Sequence, residues 1–257
     1  ETIFIFDDEG HVVDLDRSKE TASHKMIENF MLVANEFIAK ELSDGKTIYR
    51  IHEKPDEKRL LNLKEEISSY NIKMEMNKNL NTVLQDLLDK LPDENYHRVF
   101  DRKVLRSMKK AKYTVENLGH FGLAMRNYTH FTSPIRRISD LIIHHQIKNK
   151  LNSKQTPFSA SHLFKLAKIA TEREMIADES EREVDLKNKT IFIKKKVGEE
   201  FEAIIIAVRN NALIVELNKY PITGIVSISS LEDDRYEFFP QHSRFIGKRK
   251  GKIYKLT

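Results

Sequence analysis

A chain of 257 residues with 40% hydrophobic side chains has material for one large domain or two smaller ones, each with its own core. The absence of cysteine excludes disulfides and thiolate metal sites and is compatible with the cytoplasmic protein expected here, and no apolar run approaches the length of a membrane span. The formal charge is only +5, but six of the basic residues (Arg244, Lys248, Arg249, Lys250, Lys252 and Lys255) fall between Gln241 and Thr257, a stretch with no acidic residue. Such a stretch suits a polyanion or a solvated basic face.

In chain order, Ile3-Phe4-Ile5-Phe6 and His11-Val12-Val13-Asp14-Leu15 flank Asp7-Asp8-Glu9-Gly10, which predicts a β-hairpin with glycine at a positive-φ turn position. An amphipathic helix is expected over residues 22–41, with Met26, Ile27, Phe30, Met31, Val33, Ala34, Phe37 and Ile38 on its apolar face and Gly45 placed to end it. Glu28 and Asn35 lie two turns apart along one side of that face. Residues 47–51 read as a strand, and Pro55 opens a charged helix to about residue 70. Leu80, Val83, Leu84, Leu87, Leu88 and Leu91 mark another helix, capped at Asn79 or Asn81 and stopped before Pro92. Next comes a helix over 93–110 with Tyr96, Val99, Phe100, Val104, Leu105 and Met108 inward. A polar linker at 152–157 precedes a long helix over 161–193, apolar early through Leu163, Phe164, Leu166, Ala167 and Ala170 and charged later. From Val197-Gly198 the pattern becomes short strands at 200–208, 213–217, 222–228 and 244–254, with Asn210-Asn211 at a turn, as in a small β-barrel.

The stretch with the richest chemistry is Gly119-His120-Phe121-Gly122-Leu123 followed by Tyr128-Thr129-His130-Phe131-Thr132-Ser133-Pro134-Ile135-Arg136-Arg137. Ser133 suits a helix N-cap and Pro134 the first helical position, with Ile135, Ile138, Leu141, Ile142 and His145 recurring at helical spacing. Arg136 and Arg137 then face the positive end of the helix dipole, at a cost of roughly 0.3–1 kcal/mol. An ion pair from Arg136 to Asp140 one turn on would offset that cost, and so would a phosphate held by the free amides and the guanidinium. His120 and His130 suit either general acid–base chemistry or hydrogen bonds that order the loop.

The runs Leu105-Arg106-Ser107-Met108-Lys109-Lys110-Ala111, Glu116-Asn117-Leu118-Gly119-His120-Phe121-Gly122-Leu123-Ala124 and Tyr128 through Arg137 closely resemble the RNB catalytic domain of the ribonuclease II / ribonuclease R family. Met26-Ile27-Glu28-Asn29-Phe30-Met31-Leu32-Val33-Ala34-Asn35, Tyr49-Arg50-Ile51-His52-Glu53-Lys54-Pro55 and Glu181-Arg182-Glu183-Val184 extend the resemblance, and the strand-rich end is similar to an S1 domain of the OB class. The resemblance implies an α+β protein: the helix-rich C-terminal part of an RNB domain over 1–195, then an incomplete S1-like RNA-binding barrel over 196–257. It also implies a processive 3′→5′ exoribonuclease that hydrolyses single-stranded RNA with magnesium held by an aspartate cluster. Arg136 would grip the scissile phosphate and Glu28 a ribose hydroxyl, with Tyr128, His130, Thr132, Ser133, Arg137, Glu181, Lys248, Arg249 and Lys250 along the RNA. Glu181 equally suits a helix-surface ion pair.

The departures matter as much. The aspartate motif is missing, since Asp7-Asp8 and Asp233-Asp234 lie in other contexts, so the magnesium ligands are expected outside this chain and the chain alone is expected to be inactive. Ile138 stands where the family has an aromatic and His145 where it often has arginine. Ala212-Leu213-Ile214 replaces a glycine and aromatics, leaving Tyr236, Phe238, Phe239 and the basic stretch to meet RNA, and the barrel's final strand is expected to be absent. With no initiator methionine and an end just after Lys252-Ile253-Tyr254, the chain is expected to be a piece of a longer polypeptide whose N-terminal part is a partner. The competing reading is a non-catalytic RNA-binding module, or a scaffold for an RNA helicase in an RNA-decay assembly.

Overall fold

The computed structural model describes residues 2–256 apart from 69, 71, 77, 78, 92, 241 and 242. The helix stop expected at Pro92, the start of the basic stretch at Gln241 and both chain ends lie outside the described residues. Internal contacts group the chain into two compact units, one of residues 1–18, 56–107 and 183–257, the other of 19–55 and 108–182.

The first unit opens with the antiparallel hairpin β1 (Thr2–Phe6) and β2 (Val12–Arg17). The Asp7 carboxylate closes its turn by accepting the Glu9 and His11 amides at 3.1 and 2.7 Å, and Gly10 supplies φ +82°. Three helices follow: α2 (Glu57–Ser68), α3 (Leu80–Asp89), capped by the Asn79 side chain, and α4 (Glu94–Ser107). Each buries one stripe: Leu60, Leu63 and Ile67; Val83, Leu84 and Leu87; Val99, Phe100 and Val104. Leu105, expected inward, is exposed, because it is turned about 100° from Val104 and falls outside that stripe.

The strands β5 (Ala203–Arg209), β6 (Ala212–Leu217) and β7 (Thr223–Ser227) form one antiparallel sheet, and β8 (Tyr236–Phe239), β9 (Arg244–Gly247) and β10 (Ile253–Tyr254) another. The single strand expected over 244–254 is thus a hairpin. Its 248–251 turn is fixed by Asp234, whose carboxylate accepts the Arg249 and Lys250 amides. The end of the long helix α6 (Ala160–Lys194) contributes Phe192 to a core with Val12, Leu15, Tyr220 and Ile222.

The second unit contains α1 (Ala22–Glu41), the paired strands β3 (Tyr49–Ile51) and β4 (Lys112–Thr114), α5 (Ile138–Leu151) and the first two-thirds of α6. Its core joins Ile48, Tyr113, Ile142, Leu163, Ala167 and Ala170. β4 is too short to show an alternating pattern; its Tyr113 amide donates to Thr171 Oγ1 of α6 at 2.9 Å, which satisfies the strand edge. Phe164, expected in the core, is exposed on the outer side of α6.

Two expectations for α1 are corrected. The helix ends at Glu41 with Leu42 as C-cap, and Gly45 sits beyond it in a turn closed by its amide on the Leu42 carbonyl. Its buried residues are Asn35, Ile38 and Ala39, whereas Met26, Ile27, Phe30, Met31, Val33 and Phe37 are all exposed. The amphipathic stripe is present, but the described residues do not cover its first three turns.

Candidate nucleic-acid interface

Residues 128–137 form an irregular loop whose backbone is tied down almost residue by residue. The Tyr128 carbonyl accepts the Arg50 amide at 2.9 Å, and Thr129 Oγ1 donates to the Ile48 carbonyl at 2.6 Å. Asn35, buried on α1, donates through Nδ2 to the Tyr128 hydroxyl at 3.1 Å and accepts the Phe131 amide through Oδ1 at 2.8 Å. His144 stacks on the Phe131 ring at 4.3 Å and donates from Nε2 to its carbonyl at 2.9 Å. Asp140, fully buried in the first turn of α5, accepts the Ser133 amide and the Arg137 guanidinium, both at 2.8 Å.

These contacts correct the expected helix start. Ser133 does not cap α5; its carbonyl accepts the Arg136 and Arg137 amides in a separate turn, and the helix begins at Ile138 with Arg137 as an N-cap whose side chain makes no capping bond. Asp140 replaces the serine because an anion in the first turn satisfies both the dipole and the loop amide. The ion pair to Asp140 is made by Arg137, not Arg136. Arg136 is exposed at the tip of the turn beside Ile135, which is 101% exposed, and it makes no ion pair among the described residues.

Behind the loop lies a cluster of rings. The Tyr113 hydroxyl bonds His130 Nδ1 at 2.8 Å, and Tyr128 meets His120 and His130 edge-on with centroids 5.2 and 5.7 Å away. His120 Nδ1 accepts the Leu123 amide at 3.2 Å. His52 Nδ1 accepts the Gly122 amide at 2.9 Å, which leaves Nε2 to donate to the Lys109 carbonyl at 2.7 Å. Burial pushes His120 down to about 4, helped by His52 and Arg50, and pushes His130 down to about 2, helped by Arg137 and Arg50. Both rings are therefore neutral hydrogen-bonding parts near pH 7. Arg50 lies over the Tyr113 ring at 4.7 Å and pairs with Glu174 at 2.5 Å.

The other expected site residues lie elsewhere. Glu28 is exposed two turns before Asn35 on α1, and Glu181 is exposed on α6. Thr132 and Ser133 are partly exposed in the loop. Arg249 and Lys250 point outward from the β9–β10 turn, while Lys248 pairs with Glu237 at 3.3 Å and Lys252 with Asp233 at 3.5 Å, so part of the basic stretch is neutralised by acids that precede it. Among the described residues no three histidine, aspartate or glutamate side chains converge as a metal cluster, so those present do not fit the magnesium that the resemblance implies. Asn35 and His144 carry the loop and were not singled out for it by the sequence, whereas Asp140 was named there only as a partner for Arg136. Their signal was a polar side chain on an otherwise apolar helical face.

Comparison with known proteins places this geometry in a lineage. The RNB domain profile matches residues 1–153 and the S1 RNA binding domain profile residues 194–254. Ribonuclease R of Thermotoga maritima is 38% identical across 98% of this chain, which spans 37% of that relative's length. Two Mycoplasma genitalium RNase R structures cover all of this chain: the apo form (TM-score 0.86, 29% identity) and the complex with ribose methylated single-stranded RNA (TM-score 0.85, 28% identity). This chain spans 42% of each. The RNB match over more than half of the residues, with the S1 match behind it, shows that the chain belongs to the RNB-domain family.

Proposed function

We propose that this chain is part of a processive 3′→5′ exoribonuclease that degrades single-stranded RNA in the cytoplasm by magnesium-dependent phosphodiester hydrolysis. It contributes the phosphate- and ribose-contacting half of the site, over residues 1–195, and an S1-like RNA-binding part over 196–257. The observation that carries this reading is Arg136: an exposed guanidinium on a turn whose base is fixed by Asn35, His144 and Asp140. A guanidinium held in place without an internal partner stabilises a phosphate more as charge builds on its oxygens, because the donors need no reorganisation. Arg136, Thr132 and Ser133 face the RNA. Tyr128, His130 and Arg137, bonded to Asn35, Tyr113 and Asp140, hold the turn in place. Glu28 offers its carboxylate to a ribose hydroxyl.

The described residues do not hold the magnesium; its ligands would come from the N-terminal part of the longer polypeptide, where a bound ion would supply the activated water. That part also covers the exposed apolar face of α1. The structure of a relative with single-stranded RNA supports the substrate class. The test is single-turnover degradation of a single-stranded RNA by the full-length enzyme carrying Arg136→Ala. A loss of more than tenfold, about 1.4 kcal/mol of barrier, is expected, and a smaller loss refutes the assignment.

A further inference from the structure

Glu216, near the end of β6, is 1% exposed and is met by three arginines. Arg17 of β2 approaches Oε1 at 3.0 Å and donates to the Leu217 carbonyl at 3.2 Å. Arg98 of α4 donates to Oε1 at 2.5 Å and reaches Asn218 Oδ1 at 3.4 Å and the Leu217 carbonyl at 3.3 Å. Arg102, one turn along α4, pairs with Oε2. One carboxylate against three guanidiniums leaves a surplus of two positive charges. Arg98 is used up by these contacts, with a side chain 17% exposed, but Arg17 and Arg102 are 36% and 43% exposed and have donor edges to spare.

The arginines continue along the helix. Arg98, Arg102 and Arg106 stand at four-residue spacing on one side of α4, and Arg106 is exposed with no ion pair among the described residues. On the sheet, Glu216 shares its face with Ile214, and the register places Thr223 and Ile225 opposite them. Ile225 is 76% exposed, and the shallow groove there is lined by Arg209, Ile214, Thr223 and Ile225. A structural lock on one carboxylate needs one or two guanidiniums. Three, with a fourth in line, match a chain that carries a negative charge at every repeat.

We propose that Arg17, Arg102 and Arg106 form a phosphate-binding track for single-stranded RNA, with Glu216 as the internal counter-ion that keeps the guanidiniums in place when no RNA is bound. This rests on the reading of the chain as part of a ribonuclease. Phosphates take over the free edges of Arg17 and Arg102, while Arg98 keeps Glu216 paired.

The test is the affinity of the 257-residue chain for a short fluorescein-labelled oligouridylate between about 50 and about 200 mM salt. Arg102→Ala and Arg106→Ala each reduce affinity and lower the slope of log affinity against log salt by about 0.7, one single-strand phosphate contact. Glu216→Gln raises affinity, because a competing negative charge is removed. Arg106→Ala alters an exposed side chain, so it reads the track even if Glu216→Gln fails to fold. Unchanged slopes for both arginine variants, with a lower slope for Arg249→Ala, overturn the track and leave the RNA reading standing. No binding by the unaltered chain overturns both. Displacement of the oligouridylate by polyglutamate at equal charge makes the patch an acidic-protein site and overturns the RNA track.

Discussion

Asn35 on α1 and Phe131 in the pinned loop are joined by a 2.8 Å hydrogen bond from the Phe131 amide to the Asn35 side-chain oxygen. The same side chain donates to the Tyr128 hydroxyl, so one residue holds the loop at two points. Asn35 and Tyr128 are buried and the bond to Phe131 is part-buried, so removing the Asn35 amide leaves a backbone amide and a hydroxyl without their bonds. Asn35→Leu, which keeps the volume and deletes both bonds, is expected to cost about 2–4 kcal/mol in urea-induced unfolding. A change below about 0.5 kcal/mol would mean that the loop finds its position without Asn35.

The ring cluster makes stability depend on pH. His130 at about 2 and His120 at about 4 both lie below the unfolded value of 6.5, so the unfolded chain binds protons that the folded chain refuses. The contribution is complete above pH 6.5 and is lost as the pH falls: through both rings down to about 4, and through His130 alone below that. Each ring adds at most about 1.4 kcal/mol per pH unit in its window. His130→Gln keeps an acceptor for the Tyr113 hydroxyl but cannot titrate. Its unfolding free energy between about pH 6 and about pH 5 is expected to fall less steeply than that of the unaltered chain by about one proton. Identical slopes would show that His130 titrates normally.

The helices and most strands were legible because their apolar stripes are local. The periodicity over roughly 22–41 marked α1, and the turn at Asn210-Asn211 marked the β5–β6 hairpin. What could not be read was whatever distant partners decide. Phe30 and Val33 are exposed although they belong to the apolar stripe, because burial is decided by which distant residues pack there and not by the pattern. Ser133-Pro134 has the chemistry of a helix start, but Asp140 captures the Ser133 amide from within the next helix, a competition that propensity does not see. Arg136 could be picked out from its neighbours, whereas the exchange of ion-pair roles between Arg136 and Arg137 depended on which guanidinium faces a buried carboxylate.

Asp140 links loop and helix through charge. It is fully buried and receives Arg137, the Ser133 amide and the Ser139 hydroxyl. Asp140→Asn keeps the shape, places an amide against one of these donors and strands the Arg137 charge. A destabilisation of about 3–5 kcal/mol is expected, the range for breaking one side of a buried pair. Replacing Arg137 as well, in Asp140→Asn with Arg137→Met, should restore part of that loss in the same unfolding measurement, and an additive double variant would argue against the pair.

Gly122 is constrained by a side chain rather than by its own backbone angles. Its amide donates to His52 Nδ1 at 2.9 Å, and a Cβ at this position would lie 2.8 Å from that atom and 3.2 Å from Cε1. The ring cannot simply swing away, because Nε2 is bonded to the Lys109 carbonyl and the His52 backbone bonds Gly119 and Phe121. Gly122→Ala is therefore expected to cost about 1–3 kcal/mol by overpacking a site that is open on its other side. The cost should belong to the pair. In a His52→Ala background, where the ring is gone, adding Gly122→Ala should change stability by less than about 0.5 kcal/mol, and a full cost in that background would place the constraint on the Gly122 backbone instead.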